Sequence, residues 1–256
     1  TYEGVEYTLY PTGKFGNYYI ASVSGHNYNS ALFGYTYRYF NYPFYSEDLV
    51  NWQPLFTKLP DLATVFSNAP ATGGNYIGYL SAPVVKDGVL YMTLGCMYYG
   101  KPTVTSDNRA HVDNLALIYL NNINENFNYY EPVSQMNVHT ADTTFNYIQI
   151  TVPFFNGNNC YIFENYPHDS SSAYFVYEII NISTGVVQKP TSYSNYSNTT
   201  SFIGCNREHP NYAQWLIYGG SVGLFGTRIF LGICNYPYLY YFDITSKSFS
   251  YISMSG

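Results

Sequence analysis

This chain has little charge. Only 10 % of its 256 residues are Asp, Glu, Lys or Arg, with a net charge of −6, where an average soluble domain has about 25 %. No Lys/Arg run occurs, so the electrostatic footprint of nucleic-acid binding is missing and no nucleic-acid partner is expected. No apolar stretch reaches the roughly 20 residues a spanning helix needs, so no membrane span is expected. The four cysteines, Cys96, Cys160, Cys205 and Cys234, form no Cys-x-x-Cys pair, which argues against a zinc ribbon. No secretory leader is seen, and Thr1 is not an initiator Met, so a leader or preceding domain is expected to have been removed. Long amphipathic helical patterns are absent as well; one helical turn is expected around Asp61–Phe66.

Tyrosine takes the place of charge. The chain has 33 Tyr, and 20 % of its residues are aromatic. Tyr, Asn, Ser and Thr together give a surface of neutral hydrogen-bonding groups that barely titrates. Such a surface suits an outside, even acidic, environment; codon bias in an AT-rich genome explains it equally well. Three N-glycosylation sequons, at Asn181, Asn195 and Asn198, add to an extracellular, secreted reading, at a cell surface or virion surface.

The pattern that organises the chain is a repeat of roughly 70 residues, in which a strand enters a short turn and a Tyr- or Ile-rich strand leaves it. The copies are Tyr10-Pro11 to Ile20, Ala82-Pro83 to Met92, Val152-Pro153 to Ile162, and Ser221-Val222 to Phe230. An all-strand repeat predicts an all-β fold, a β-propeller of four blades with four antiparallel strands each. The alternatives are a five-bladed relative or a β-sandwich. A single domain over 1–256 is expected, with blades at about 6–57, 77–134, 145–193 and 213–254. Within a blade the strands are lettered A to D. In the first blade A is expected at about 6–12 and C at about 31–40; in the fourth, A at about 213–222. Cys96 and Cys234 fall at matching places across the ring, too far apart to bond; Cys205 with Cys234 is the favoured disulfide, and four buried free thiols are the alternative.

Two motifs carry a family resemblance. Ser46-Glu47-Asp48-Leu49-Val50-Asn51-Trp52 ends the first blade, and Ala82-Pro83-Val84 to Tyr91 opens the second. Together they resemble the propeller glycosidases of the arabinanase, xylosidase and invertase-like type. The match covers about the first 95 residues well and the rest only by repeat logic. In that family, carboxylates at the starts of the inner strands act as base or nucleophile, pKa modulator and acid. Here the matching positions are Tyr10, Val84 and Thr151, which cannot do that work. The resemblance therefore implies a kept scaffold without its catalytic residues.

Candidate binding residues come from the loops that join B to C and D to the next A, which emerge on one face. All five histidines, His26, His111, His139, His168 and His209, are expected there, with Asp113 among the acidic neighbours. Imidazole with carboxylate can hold metals, but no close ligand spacing occurs, so no metal site and no cofactor are expected. Tyr28, Tyr98, Tyr166 and Tyr236 occupy comparable places at the ends of the B strands and would make a ring of aromatic contacts for sugar faces or a protein surface. His168-Asp169-Ser170 lacks a nucleophile elbow and reads as a solvated loop. The expectation is a non-catalytic extracellular propeller, structural or adhesive, whose partners are copies of itself or cell-surface glycans. The alternative is a divergent glycosidase using loop carboxylates such as Asp107, Asp113 or Asp142.

Overall fold

A computed structural model describes residues 8–24, 41–66, 75–99, 109–112, 115–133, 138–140, 149–167, 173–189, 223–233 and 238–253. These form four antiparallel sheets in chain order, a four-bladed propeller-like array. The first holds β1 (Leu9–Phe15), β2 (Tyr18–Ser24), β3 (Asn41–Ser46) and β4 (Gln53–Pro54). The second holds β5 (Asn75–Leu80), β6 (Val84–Lys86), β7 (Val89–Tyr99), β8 (Arg109–Val112), β9 (Leu115–Leu120), β10 (Asn128–Tyr129) and β11 (Val138–Thr140). The third holds β12 (Gln149–Ile150), β13 (Phe154–Asn156), β14 (Asn159–Pro167), β15 (Ala173–Asn181) and β16 (Val187–Gln188). The fourth holds β17 (Gly223–Phe225), β18 (Arg228–Ile233), β19 (Tyr238–Asp243) and β20 (Ser248–Ser253).

In the second and third sheets the A strand is broken in two, and both pieces pair with the same B strand, β5 and β6 with β7, β12 and β13 with β14. Each break is a Ser/Thr-x-Pro tripeptide, Ser81-Ala82-Pro83 and Thr151-Val152-Pro153. Proline cannot donate to a ladder, and at each break the hydroxyl before it serves as the acceptor for the facing B-strand amide. Ser81 N donates to Thr93 O and Ser81 Oγ accepts from Thr93 N; Thr151 N donates to Phe163 O and Thr151 Oγ1 accepts from Phe163 N.

The A–B connections are four two-residue turns, Gly16-Asn17, Asp87-Gly88, Gly157-Asn158 and Gly226-Thr227. The first residue of each has a φ between 51° and 61°, the left-handed conformation that tight hairpins demand and glycine adopts at least cost. The C–D turns are closed by Asx side chains. Asp48 Oδ1 accepts from Val50 N and Asn51 N; Asn181 Oδ1 from Ser183 N and Thr184 N; Asp243 Oδ1 from Thr245 N and Ser246 N.

Alternation then decides which faces are buried. On β7 and β9 the residues Leu90, Met92, Leu94, Ala116, Ile118 and Leu120 face the first sheet and pack on Phe15, Ile20 and Leu55. The intervening Tyr91, Leu115 and Leu117 face the third sheet and meet Cys160, Ile162 and Ile180. The other side of the third sheet joins the fourth through rings: Phe163 to Phe242 at 5.2 Å, Tyr177 to Phe242 at 4.9 Å. A sheet buried on both faces by neighbouring sheets is blade packing, and it excludes the two-sheet sandwich.

Three sequence expectations are corrected. The third strand of the first sheet is Asn41–Ser46, not 31–40, which lies outside the described residues. Pro43 hid it. The Pro43 carbonyl accepts from Leu55 N at 2.8 Å, so its missing N–H falls toward the two-residue outer strand and costs the β2 ladder nothing. Inner-strand bounds shift from those expected, β1 running over Leu9–Phe15; β17 is described over Gly223–Phe225, and the expected 213–222 lies outside the described residues. His111 and His139 are in strands, not loops: β8 and β11 extend the second sheet, with His111 directly opposite His139 in register. The helical turn does form, as α1 (Leu62–Val65), capped by Asp61, whose side chain accepts from Ala63 N. It supplies Leu62, Val65 and Phe66 to the core between the first two sheets.

Candidate functional site

The positions where the resembling glycosidases carry carboxylates are occupied here by groups that build the scaffold. Tyr10 is exposed, Val84 half-buried, and Thr151 wholly buried with its hydroxyl committed to the Phe163 amide at 3.1 Å. The Ser46–Trp52 motif is likewise a turn. Ser46 Oγ donates to Asp48 Oδ1 at 3.0 Å and accepts from Leu49 N; Trp52 Nε1 donates to Leu49 O. Amides pointing at Asp48, first Asn51 and then Val50, hold its carboxyl well below the usual aspartate range. Both motifs are thus accounted for by turn and strand geometry.

Two acidic groups that sequence reasoning passed over lie elsewhere. Glu164 on β14 and Glu178 on β15 are both 0 % exposed. The register pairs Ile162 with Glu178 and Glu164 with Val176, so the two glutamates are diagonal neighbours on the face with Cys160, Ile162 and Ile180. That face packs against the second sheet. Neither oxygen of Glu178 has a hydrogen-bond partner among the described residues. Burial pushes its carboxyl well above the ordinary value; Lys189 pulls it back and Glu131 adds to the rise. The Cys160 thiol is free, buried and pushed up, by burial first and by Glu178 second. On the opposing sheet, Tyr91 is pushed up to about 12, mainly by burial, and the Thr93 hydroxyl is buried without a hydrogen-bond partner among the described residues. The signal was available: an acid at 164 and at 178 interrupts apolar residues on the core side of an alternating strand.

Of the expected binding residues, Tyr98 lies on β7 opposite Ala110 and Tyr76, Tyr166 on β14 opposite Tyr174, and His111 on β8. His26, Tyr28, Asp113, His168, His209 and Tyr236 lie outside the described residues, as do Asn195, Asn198, Cys205 and Cys234. Asn181 is half-buried: its Oδ1 caps the C–D turn and its Nδ2 reaches Asn159 Oδ1 at 3.4 Å. Among the described residues no group of three or more His, Cys, Asp or Glu side chains is placed to hold a metal ion, and no helix is long and apolar enough to cross a membrane.

The turn-bearing end of the array is the best-defined surface. A–B and C–D turns leave an antiparallel sheet at the same end, and contacts between sheets align those ends. Lys86 sits over the Phe155 ring at 5.7 Å, and Lys247 Nζ donates to Gln188 Oε1 at 2.7 Å. Apolar side chains stand exposed on these turns and hairpins: Phe225 at 79 %, Val50 at 77 %, Val186 at 56 %, with Leu49 and Leu224 beside them.

No protein-family model and no curated protein matches the chain. Among solved structures it is similar to a polysaccharide lyase of family PL25, an ulvan lyase, both free and bound to -[GlcA(1-4)Rha3S]-. Each shares 13 % identity and a TM-score of 0.40, over 75 % of this chain and 44 % of that one. The chain thus spans less than half the length of those enzymes, and a likeness this slight brings over neither residues nor chemistry.

Proposed function

We propose that the chain is a non-catalytic propeller scaffold of an outer surface, at a cell or virion, which works by self-association, with glycan binding as its second mode. The observation that supports this best is what stands at the inner-strand breaks. Cleaving a glycosidic bond takes a pair of carboxyls flanking it, and the breaks present hydroxyls committed to backbone amides. The buried pair, Glu164 and Glu178, has no solvent exposure through which a sugar could reach it.

The turn end supports the self-association half. Exposed apolar side chains, Val50, Val186 and Phe225 among them, stand there between charged turn residues such as Glu47, Asp87 and Lys247, as apolar contacts with a polar rim do in protein interfaces. The three sequons fit a secreted chain.

Sedimentation velocity over a hundredfold concentration range, paired with a glycan array, tests the reading. The expected result is concentration-dependent association that weakens in Val50→Asp/Phe225→Asp. Array binding by a strictly monomeric chain would move the function to glycan recognition. A monomer that binds no glycan would refute both modes.

A further inference from the structure

At the seam between the second and third sheets the Lys189 ammonium has two acidic neighbours, Glu131 and Glu178. Extended by one residue past the end of β16, the register that pairs Ile179 with Gln188 brings Lys189 opposite Glu178, and its charge acts on that carboxyl. Yet Lys189 Nζ turns away. It reaches across the seam to Glu131 Oε1 at 2.6 Å and donates to the Pro132 carbonyl at 3.3 Å, both on the second sheet's side. Glu178, wholly buried, is left without a hydrogen bond on either oxygen among the described residues.

A bare buried carboxylate beside a Lys would capture it, because an uncompensated charge in the interior costs several kcal/mol and an ammonium one strand away is the nearest remedy. Lys189 can prefer the other sheet only while Glu178 carries a proton. We propose that this seam is a proton-operated clasp: with its proton on, Glu178 leaves Lys189 to tie the third sheet to the second through Glu131, and when the proton leaves, Lys189 is drawn back to Glu178 and the tie opens. The step moves one proton to solvent and exchanges one ion pair for another; no covalent bond changes. The ionisable groups on the two facing surfaces are Glu164 and Cys160 on β14, Lys189 after β16, Glu131 after β10, and Tyr91, Tyr119, Tyr130, Lys86 and Asp87 on the second sheet's side. Of the two cations, Lys86 is paired with Asp87 and lies over the Phe155 ring, and Lys189 is the one that pairs with Glu131.

The direction of the pH effect follows from linkage. The folded state holds the Glu178 proton more tightly than the unfolded chain does. Its contribution is therefore fully present below the ordinary glutamate value of 4.5 and is lost as pH rises from there through the raised folded value. With Glu131 ionised, the clasp is closed while Glu178 keeps its proton and opens as pH rises through the raised Glu178 value.

The test is a double-mutant cycle between Glu131→Gln and Lys189→Met, read by urea unfolding at pH 5.5 and pH 9, in the wild-type background and in Glu178→Gln. In the wild type the coupling should change the unfolding constant by about two- to fivefold at pH 5.5, the size of a partly exposed ion pair, and vanish at pH 9. Glu178→Gln cannot ionise and keeps its shape, so in that background the coupling should persist at both pH values. Equal coupling at both pH values in the wild type, or no coupling at pH 5.5, would overturn the proposal. So would a pH-dependent coupling that Glu178→Gln leaves unchanged.

Discussion

Thr151→Val is the sharpest probe of how the inner strands are built. The substitution keeps the branched shape and removes one oxygen. That oxygen accepts from the Phe163 amide at 3.1 Å, while Thr151 N donates to Phe163 O at 3.0 Å, and both residues are 0 % exposed. Without the hydroxyl, the Phe163 N–H stays buried and unpaired, at a cost of about 1–3 kcal/mol. For a chain of this size that lowers Tm by roughly 2–12 °C. Thr151→Ser keeps the oxygen and gives up one methyl, about 1 kcal/mol. The measurement that separates them is amide hydrogen exchange at Phe163, in parallel with scanning calorimetry. Phe163 should lose protection in Thr151→Val and keep it in Thr151→Ser. A Thr151→Val variant as stable as the wild type, with Phe163 still protected, would refute the claim that the hydroxyl replaces a ladder bond. Ser81→Ala should act alike on the Thr93 amide, because the second sheet repeats the device.

Other parts of the fold give further tests. Phe242→Ala removes a fully buried ring that meets Phe163, Tyr177 and Phe249, and should cost about 3–5 kcal/mol in chemical denaturation; a loss under 1 kcal/mol would mean the third and fourth sheets do not pack there. Cys160, buried and with its thiol pushed up, should resist alkylation until the chain unfolds; peptide mass spectrometry after brief labelling of native protein reads this, and rapid modification contradicts the burial. Asp48 and Asp243 are held low by turn amides, first Asn51 and Ser246 respectively, so their contribution is present above the ordinary value of 3.8 and lost as pH falls through the lowered folded values. NMR shifts of the Val50 and Asn51 amides should titrate with a midpoint below 3.8; a midpoint at or above it would show the Asp48 carboxyl is not so engaged.

The hairpins were the legible part of this fold. Gly16, Gly157 and Gly226 mark left-handed turn positions, and the Tyr- and Ile-rich runs after them became β2, β14 and β18. Strand C of the first sheet was not legible, because a proline within six residues reads as a breaker until its partner on each side is known. The short β8 and β11 exist through pairing with β7 and with each other, and four- and three-residue strands carry too little alternation to announce themselves. The glutamates of the seam were visible as letters but not as a site. Only the register shows that Glu164 and Glu178 share the face of Cys160, and only the neighbouring sheet shows that this face is buried. The glycosidase-like motifs speak for the scaffold alone. Residues that close a turn, as Ser46 and Asp48 do, serve any propeller and say nothing of catalysis.

The most direct test of the scaffold reading is cryo-EM imaging of the protein taken from its native source, with intact-glycopeptide mass spectrometry on the same material. A surface scaffold should appear as ordered arrays or fibres, carrying hexoses on Asn181, Asn195 or Asn198. Dispersed, unglycosylated monomers would contradict it.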